Sequence, residues 1–476
     1  MSNRKDYEEN MVSVNEKNIE QSDRIQDNLK EENNKMGTAP IGKLLASMAW
    51  PAILSMTIGA LYNIVDSIFV AMISAKALTA VSLIMPLQVL IIAVGVGSGV
   101  GVNSLIARRL GARRFEEADK AASTSVRIGV FNYLFFLVIG LFLSSPFMNY
   151  YTNDPEIYNY GVTYMRIICC FSLFFLMQLA LEKVLQATGN MVGPMVVALA
   201  GAATNLILDP ILIFGLLGAP KLGVAGAAIA TVTGQGVAMI VAIIIVVRQD
   251  HEVEIKLKGF KMDWKIVKEI YSVGLPSIVM QAIGSVMLLG YNKILAANVA
   301  AVAVLGIYFK LQSFVFMPVF GLNQGALPIM GYNFGAKNKD RLMKSYKLSL
   351  ISAVIFMGVG TVVFNVFPHI LLKMFNADAE MMEIGIPALR IISLCFLPAA
   401  FGVITSTLFQ ATGHGVYSLI GSLLRQLIGI LPLAYFLYHT VGITASWASF
   451  PLAEMMDFTY SAIMMKVLYN KEIKNL

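Results

Sequence analysis

The sequence has few charged residues and few cysteines for its length. Of its 476 residues, 14% are charged and 57% are hydrophobic, whereas soluble globular domains have about 25% charged and about 45–50% apolar residues. Apolar stretches of about 20 residues recur along nearly the whole chain, and that is the length a helix needs to cross a bilayer. This composition excludes an ordinary soluble protein and predicts a polytopic membrane protein.

The residue types that metal sites and nucleophilic enzymes need are also scarce. The three cysteines and four histidines do not have the spacing of a metal-ligand set or of a disulfide framework. There is no P-loop and no nucleophile elbow, so we expect no enzyme activity and no cofactor. Transport by such a chain would be driven by an ion gradient or be passive. The net charge of +7 lies in a few connections, which argues against a nucleic-acid partner.

The N-terminal 38 residues differ in composition from the rest. They are rich in Asn, Glu, Lys, Asp and Gln and nearly free of apolar clusters, which predicts a disordered tail. No charged segment followed by a short apolar one is present, so we expect no cleavable signal peptide. The predicted organisation is a cytoplasmic tail (1–38), an N-terminal six-helix lobe (39–247), a cytoplasmic linker (248–266), a C-terminal six-helix lobe (267–466) and a cytoplasmic tail (467–476).

The apolar stretches predict an all-α fold with twelve transmembrane helices, because a backbone in lipid must satisfy its own hydrogen bonds. They lie near 44–72, 78–104, 122–146, 159–185, 192–217, 223–247, 267–296, 300–328, 346–374, 382–409, 415–438 and 442–466. Lys and Arg concentrate in the connections near 108–120, 248–268 and 337–347. The positive-inside rule therefore places these connections and both termini in the cytoplasm. We expect a multi-pass protein of the plasma membrane.

The two halves of the chain resemble each other. QATG occurs at 186–189 and at 410–413, and MRII at 165–168 matches LRII at 389–392, both at a shift of 224. Pro51 and Gly59 match Pro276 and Gly284 at a shift of 225. Several matches in order indicate a duplication. Each repeat has an even number of spans, so the repeats are parallel, and two lobes facing a central cleft would suit alternating access.

These motifs, in this order, resemble those of the multidrug and toxic compound extrusion (MATE) family of cation-coupled exporters. The motifs are YNIVDSIFVA at 62–71, LGARR at 110–114, QATGN at 186–190, NLILDPILIFG at 205–215, ALPIMGYNFGAKN at 326–338 and FQATGHG at 409–415. The resemblance covers about residues 40–466. It implies two six-helix lobes and export of amphipathic, often cationic drugs or toxic metabolites in exchange for protons or sodium.

Within that family the chain is similar to the DNA-damage-inducible (DinF-like) branch, whose coupling acid lies in the first lobe. Asp66 matches that acid, and Asn205 and Asp209 match an Asn/Asp pair of the family in span 5. The branch typified by norfloxacin exporters has a glutamate in span 7, where this sequence has Gly284.

The residues themselves also single out Asp66. A charged side chain at the centre of a membrane helix costs roughly 2.5–3.5 kcal/mol by insertion scales. Tyr62 and Asn63 share its helix face, and Asn205 and Asp209, four residues apart, can point into one site. We predict that these five residues form the ion-coupling site, where a sheltered carboxylate exchanges a proton for a cationic substrate. Sodium is the open alternative, since Asp66, Asn205 and Asp209 could form an oxygen cage.

Other polar residues inside spans are secondary candidates for the cleft, namely Glu182, Gln178, Gln281, Lys310, Glu454 and Asp457. For Glu182, pairing with Lys183 is a competing structural interpretation. Lys310 is interpreted as a counter-ion across the cleft, and Arg425 as a partner of Glu454 or Asp457.

Two rival transporter classes remain open at this point. One is a related lipid-linked oligosaccharide flippase, although a pyrophosphate headgroup would favour a basic cavity over acids. The other is a major-facilitator transporter, but IARRLGARR at 106–114 lacks the acid of that signature. The expected partners are small amphipathic or cationic molecules and membrane lipid, and the expected state is a monomer.

Overall fold

The computed structural model describes residues 34–248, 252–256 and 262–476, and the fold is all-α, as predicted. The first half contains α1 Lys35–Thr38, α2 Ile41–Ile73, α3 Ala75–Gly111, α4 Phe115–Val138, α5 Ser144–Tyr151, α6 Pro155–Cys170, α7 Ser172–Ala187, α8 Val192–Phe214 and α9 Val224–Arg248. The second half contains α10 Trp264–Leu295, α11 Val299–Gly335, α12 Lys339–Val366, α13 Pro368–Lys373, α14 Ala379–Ser393, α15 Phe396–Ala411, α16 Gly415–Leu423, α17 Leu431–Thr440, α18 Ile443–Ser446 and α19 Ser449–Lys471. π-Helical turns Ile139–Leu143 and Leu424–Ile430 join α4 to α5 and α16 to α17.

Eleven of the twelve expected spans meet a criterion of length and apolar composition within the described residues. Nine are continuous, and two more are bent pairs, α6 with α7 at 42° and α14 with α15 at 46°. The remaining expected span, 442–466, corresponds to α18 and α19. The 23 residues of α19 are long enough to cross a bilayer, but Glu454, Asp457 and Lys466 make the helix less apolar than the others.

The repeated QATG motif ends a helix in both halves. α7 ends at Ala187 and α15 at Ala411, and each is followed by a glycine in the left-handed region, Gly189 with φ +81° and Gly413 with φ +93°. Only glycine adopts this conformation without a steric penalty, and it is the usual residue just beyond a helix C-terminus. The motif is therefore a structural stop signal that the duplication preserved.

Apart from α2, α3, α10 and α11, the helices of each half pack mainly on one another, and we call α2–α9 the first set and α10–α19 the second set. The two sets meet along a seam formed chiefly by α2 and α3 against α10 and α11. We call one end of the bundle the basic end, because α3 and α11 finish there and α10 begins there, beside Arg113, Arg114, Lys265, Lys268 and Lys337.

Along the seam the backbones approach most closely in the halves of these helices nearest the basic end. A Cβ atom added to Gly274 would lie 3.2 Å from the carbonyl oxygen of Gly97, and one added to Gly325 would lie 2.9 Å from the amide nitrogen of Ala49. The seam is therefore closed at the basic end.

The prediction of a disordered tail over residues 1–38 is wrong for residues 34–38, while residues 1–33 lie outside the described part of the chain. The Met36 side chain is fully buried in a cluster with Val102 and Leu105 of the first set. Its carbonyl oxygen accepts hydrogen bonds from Asn333 Nδ2 at 3.3 Å and from Arg341 Nη2 at 2.9 Å, both in the second set. This segment therefore joins the two sets at the basic end.

The expected linker falls between α9 and α10, which end and begin at Arg248 and Trp264. Its described portion, 252–256, lies against α4. The backbone N–H groups of Glu254 and Lys256 donate to Asp119 Oδ1 at 2.8 Å and to Ser123 Oγ at 2.9 Å. The connection is thus held to the first set over these residues.

We predict that Arg341→Ala will lower the free energy of unfolding by about 1–3 kcal/mol, because its guanidinium also donates to the carbonyl oxygen of Ala39 at 2.8 Å and two partly buried acceptors would lose a charged donor. The measurement is thermal unfolding of the purified protein in detergent. Arg390→Ala is the matched control, since this exposed arginine donates to one carbonyl, that of Asn365, and should cost within about 0.5 kcal/mol. Equal effects for the two variants would contradict the assigned role of Arg341.

Candidate functional site

A cavity of about 580 Å³ lies inside the first set of helices. Its polar lining consists of Tyr62, Asn63, Asp66, Ser67, Ser82, Gln88, Tyr164, Gln178, Asn205, Thr231 and Gln235. All the residues that line it belong to α2, α3, α6, α7, α8 and α9. Of the two cavities described here, the larger thus lies within the first set.

Asp66 is the one charged side chain among the described residues that line this cavity. Its Oδ1 atom is buried and has no hydrogen-bond partner within the described part of the protein. No ion pair within 4.0 Å reaches it from the described lysines and arginines. A buried acceptor without a partner costs about 1–3 kcal/mol, and more when it is charged, so a proton, a cation or a hydrogen-bond donor in the cavity would stabilise this oxygen.

A hydrogen-bonded network adjoins Asp66 on α8 and α9. Asp209 and Asn205 are buried, with relative exposures of 0% and 2%. The Asn205 carboxamide, oriented so that both of its polar atoms are satisfied, donates to Asp209 Oδ2 at 2.8 Å and accepts from the Thr231 N–H at 3.1 Å. Asn205 also lines the first-set cavity together with Asp66, and so connects Asp209 to that site. The structure therefore brings together the three residues that the sequence singled out.

Two glycines allow α8 and α9 to approach closely enough for this network to form. A Cβ atom added to Gly234 of α9 would lie 2.8 Å from the carbonyl oxygen of Gly201 on α8 and 3.2 Å from Asn205 Cβ. Small residues at such positions are the usual means of close helix packing in membranes. The position of Asn205 opposite Thr231 thus depends on a glycine at 234.

Tyr62 and Asn63 line the same cavity, as their spacing from Asp66 predicted. Sequence reasoning missed Tyr164 and Gln88, which lie across the cavity and hydrogen bond to each other, Gln88 Nε2 to Tyr164 Oη at 3.1 Å. The available signal was a polar side chain inside an apolar span, the same signal that identified Gln178. Their hydrogen bond leaves the tyrosine hydroxyl proton available for a ligand.

Gln178 and Glu182, two of the secondary candidates, lie on α7. Gln178 lines the cavity, and its Nε2 donates to Glu182 Oε1 at 2.9 Å. Glu182 is buried, and it does not form the alternative ion pair with Lys183. The Lys183 ammonium instead donates to Gln186 Oε1 at 2.8 Å.

Two other candidates are placed away from this cavity. Lys310 is exposed, and its Nζ atom lies 5.8 Å from the centre of the Phe375 ring, within its own set. The interpretation of Lys310 as a counter-ion to the first-set acids is therefore corrected. Gln281 is exposed and lines neither this cavity nor the second-set cavity described next. Both side chains point away from these two cavities because of the rotation of their helices about the helix axis.

Glu454 and Asp457 lie together in the second set. Glu454 Oε1 is 3.3 Å from Arg425 Nη1, the partner expected from the sequence. Asp457 accepts from Ser461 Oγ at 3.3 Å and faces a cavity of about 130 Å³ that Arg425 also lines. This smaller cavity already contains a cationic side chain, so the first-set cavity is the better candidate for a cation site.

A sodium ion at the first-set site would draw on the carboxylates of Asp66 and Asp209 and on neutral oxygens of Asn205 and Thr231. Oxygen ligands of this kind suit hard cations. No group of three or more His, Cys, Asp or Glu side chains that could hold a metal ion occurs within the described residues. The arrangement places two carboxylates and neutral oxygens next to a cavity large enough for a small organic molecule.

Comparison with known proteins links both halves of the chain to one family. The MatE family model matches residues 51–211 and again 276–436. The multidrug export protein MepA of Staphylococcus haemolyticus (strain JCSC1435) is 27% identical over 416 residues, which cover 87% of this chain and 91% of that protein. MepA of Staphylococcus aureus (strain NCTC 8325 / PS 47) is 27% identical over 421 residues, covering 88% and 92%.

Solved structures agree with this match. A multidrug resistance MATE family transporter of the MOP superfamily, in an outward-facing conformation, superimposes with a TM-score of 0.84 at 26% identity and covers 92% of this chain and 99% of its own. A MOP superfamily transporter from Pyrococcus furiosus Vc1, described as having a binding pocket of reverse polarity, has a TM-score of 0.84 at 26% identity, covering 91% and 98%.

We predict that Gly234→Ala will destabilise the protein by about 1–3 kcal/mol, the usual cost of overpacking, because the added methyl group would force α8 away from α9. The matched control is Gly59→Ala, which alters the same cavity but would place its methyl group in open space. That variant should be neutral or slightly stabilising, since alanine favours a helix by about 1 kcal/mol. Thermal unfolding in detergent distinguishes them, and a neutral Gly234→Ala would refute the packing argument.

Proposed function

This chain belongs to the MatE family, and we propose that it exports amphipathic, often cationic drugs or toxic metabolites in exchange for an inward-moving cation. Membership in this family makes it a transporter and not an enzyme, as expected from the sequence, and confirms the family resemblance. It also removes the major-facilitator alternative. Beyond family membership, the proposal adds three points. Transport is coupled to a cation, that cation is exchanged for the drug, and the chain belongs to the branch whose coupling acid lies in the first lobe.

The observation that carries the proposal is the unpaired Oδ1 atom of Asp66 beside the first-set cavity. In this proposal the carboxylate holds a proton or a sodium ion from one side and a cationic substrate from the other. One negative charge cannot neutralise both ligands well, so each ligand weakens the binding of the other. Binding that is mutually exclusive is what exchange requires.

Asp209 and Asn205, on the neighbouring helix α8, support this exchange at Asp66. The two carboxylates repel each other when both are charged, which favours the uptake of one cation by the pair. Asn205 donates to Asp209, so the charge of Asp209 is partly stabilised and Asp66 is the acid with the unmet requirement. Both a proton and sodium satisfy this geometry.

The proposed architecture is two lobes of six spans, corresponding to the first and second sets, which alternate about the seam. α19 supplies the twelfth span, because its length suffices and its acids face the interior of the second set. We assign the basic end to the cytoplasm of a plasma membrane protein that acts as a monomer. The closed seam at the basic end then leaves the first-set cavity accessible from outside.

A lipid-linked oligosaccharide flippase is the second candidate from this superfamily. It would need cationic side chains around an anionic pyrophosphate headgroup. Asp66 is the charged side chain among the described lining residues, and it would repel such a headgroup. The charge of the cavity therefore favours a cationic substrate.

We predict that Asp66→Asn and Asp209→Asn will abolish uphill drug transport in liposomes, because an amide cannot take up and release a cation at these positions. The measurement is accumulation of ethidium, a fluorescent cationic drug, under an imposed proton gradient and, separately, a sodium gradient. The gradient that drives transport by the wild type identifies the coupling ion.

Asp378→Asn is the matched control for these variants. Asp378 caps α14 by accepting from the Met381 N–H at 2.8 Å, and asparagine caps a helix equally well, so transport should be unchanged. Wild-type coupling in a folded Asp66→Asn protein would refute the role given to Asp66. Transport without either gradient would refute coupling altogether.

The proposed orientation predicts that a green fluorescent protein fused after Leu476 will fluoresce in bacterial cells and that alkaline phosphatase fused there will be inactive. α19 ends at the basic end, where Lys339 Nζ donates to the Lys474 carbonyl oxygen at 3.3 Å. Green fluorescent protein folds in the cytoplasm, and alkaline phosphatase is active outside it. The opposite pair of results would invert the assignment.

A further inference from the structure

A polar stripe runs along α7 from the first-set cavity to the basic end. Gln178, Glu182 and Gln186 are four residues apart, so they follow one face of the helix. Gln178 lines the cavity, Glu182 is 9% exposed and Gln186 is 4% exposed. α7 ends one residue after Gln186, where Gly189 lies against Met36 at the basic end. This is a polar route through an otherwise apolar part of the protein.

Lys183 occupies this route at the seam between the two sets. It is 5% exposed, and its ammonium donates to Gln186 Oε1 at 2.8 Å and to Gln324 Oε1 of α11 at 3.4 Å. Gln186 Nε2 also donates to Gln324 Oε1 at 3.3 Å. Gln324 belongs to the second set, so the positive charge lies where the two sets close on each other.

The positive charge of Lys183 is not cancelled by a contact. No carboxylate oxygen lies within 4.0 Å of its ammonium in the described part of the chain. Glu182 is its neighbour in sequence, but successive helical residues point in different directions, and Gln178 holds the Glu182 carboxylate on the cavity side. The aliphatic part of the Lys183 side chain packs directly against Gly99, because a Cβ atom added to Gly99 would collide with Lys183 Cγ.

We propose that Lys183 is an electrostatic barrier that keeps protons and small cations from passing along the polar stripe while the basic end is closed. A path lined by amides and a carboxylate can hold water, and water in such a path conducts protons. A fixed positive charge in a narrow, low-dielectric path repels cations, as arginine does in aquaporin-type pores. For an exchanger of the proposed kind, this barrier prevents the gradient from leaking away without transport.

The test measures leak in the absence of any drug. Wild type, Lys183→Met and Lys183→Arg are reconstituted in liposomes that contain a pH-sensitive dye, and proton entry is followed after an acid pulse with valinomycin and potassium present. Lys183→Met keeps the apolar stem and removes the charge. Its leak should be at least about tenfold faster than that of the wild type, a factor equivalent to about 1.4 kcal/mol of repulsion. Lys183→Arg should match the wild type.

Lys310→Met is the matched control, because it removes the charge of an exposed lysine that lies over Phe375 and away from the seam. It should leak no faster than the wild type. If Lys183→Met is poorly folded by gel filtration and thermal unfolding, Lys183→Gln provides the same test, since its amide can still bond to Gln186 and Gln324. A wild-type leak in a folded Lys183→Met or Lys183→Gln protein would overturn the proposal, and so would a fast leak in Lys183→Arg.

This inference stands apart from the coupling role of Asp66. The leak assay contains no substrate and reads the charge of Lys183, which does not line the first-set cavity. If Asp66→Asn transported normally, the proposed coupling would fail while the leak of Lys183→Met could still rise. If the leak did not rise, Asp66 could still couple transport, so the two failures are distinguishable.

Discussion

The lack of water inside a membrane is the constraint on which this structure depends. Polar groups in a membrane-spanning helix must find partners within the protein, and most of the described ones do, as Asp209 does with Asn205. Of the buried side-chain atoms left without a partner in the described residues, Asp66 Oδ1 alone belongs to a carboxylate. The fold holds this acid at the wall of a cavity, and the proposed exchange depends on that placement.

The two halves of the chain have different residues with different roles at one equivalent helical position. At the shift of 225 that relates Pro51 to Pro276, the counterpart of Asp66 is Tyr291. Tyr291 is fully buried, donates to the Ser446 carbonyl oxygen at 2.9 Å and stacks on Trp447 with ring centres 5.8 Å apart. The tyrosine therefore stabilises packing in the second set. The aspartate of the first set instead has a carboxylate oxygen without a hydrogen-bond partner in the described residues. One repeat has a structural residue at this position, and the other has the acid of the proposed ion site.

The sequence identified Asp66, Asn205 and Asp209 because a charge in an apolar helix is rare and because a four-residue spacing sets a common face. It misplaced Lys310 because α11 is apolar on all sides, so no stripe of polar residues reports the rotation of the helix about its axis. It also assigned Met36 to a disordered tail, since composition averaged over 38 residues hides a five-residue segment. The partners of that segment lie about 300 residues away in the chain, and no local pattern reveals them.

α2 gives a physical link between the ion site and the seam. Its first residues, including Ile41 and Met48, are buried in the hydrophobic cluster of the second set, whereas its other half carries Asp66 in the cavity of the first. Pro51 lies between these halves and leaves the carbonyl of Ser47 without its usual helical donor, so the helix bends there at the least cost. A change of charge at Asp66 acts on a helix whose other half is held by the opposite set. In the proposed exchange, cation binding at Asp66 would act through α2 on the packing between the two sets.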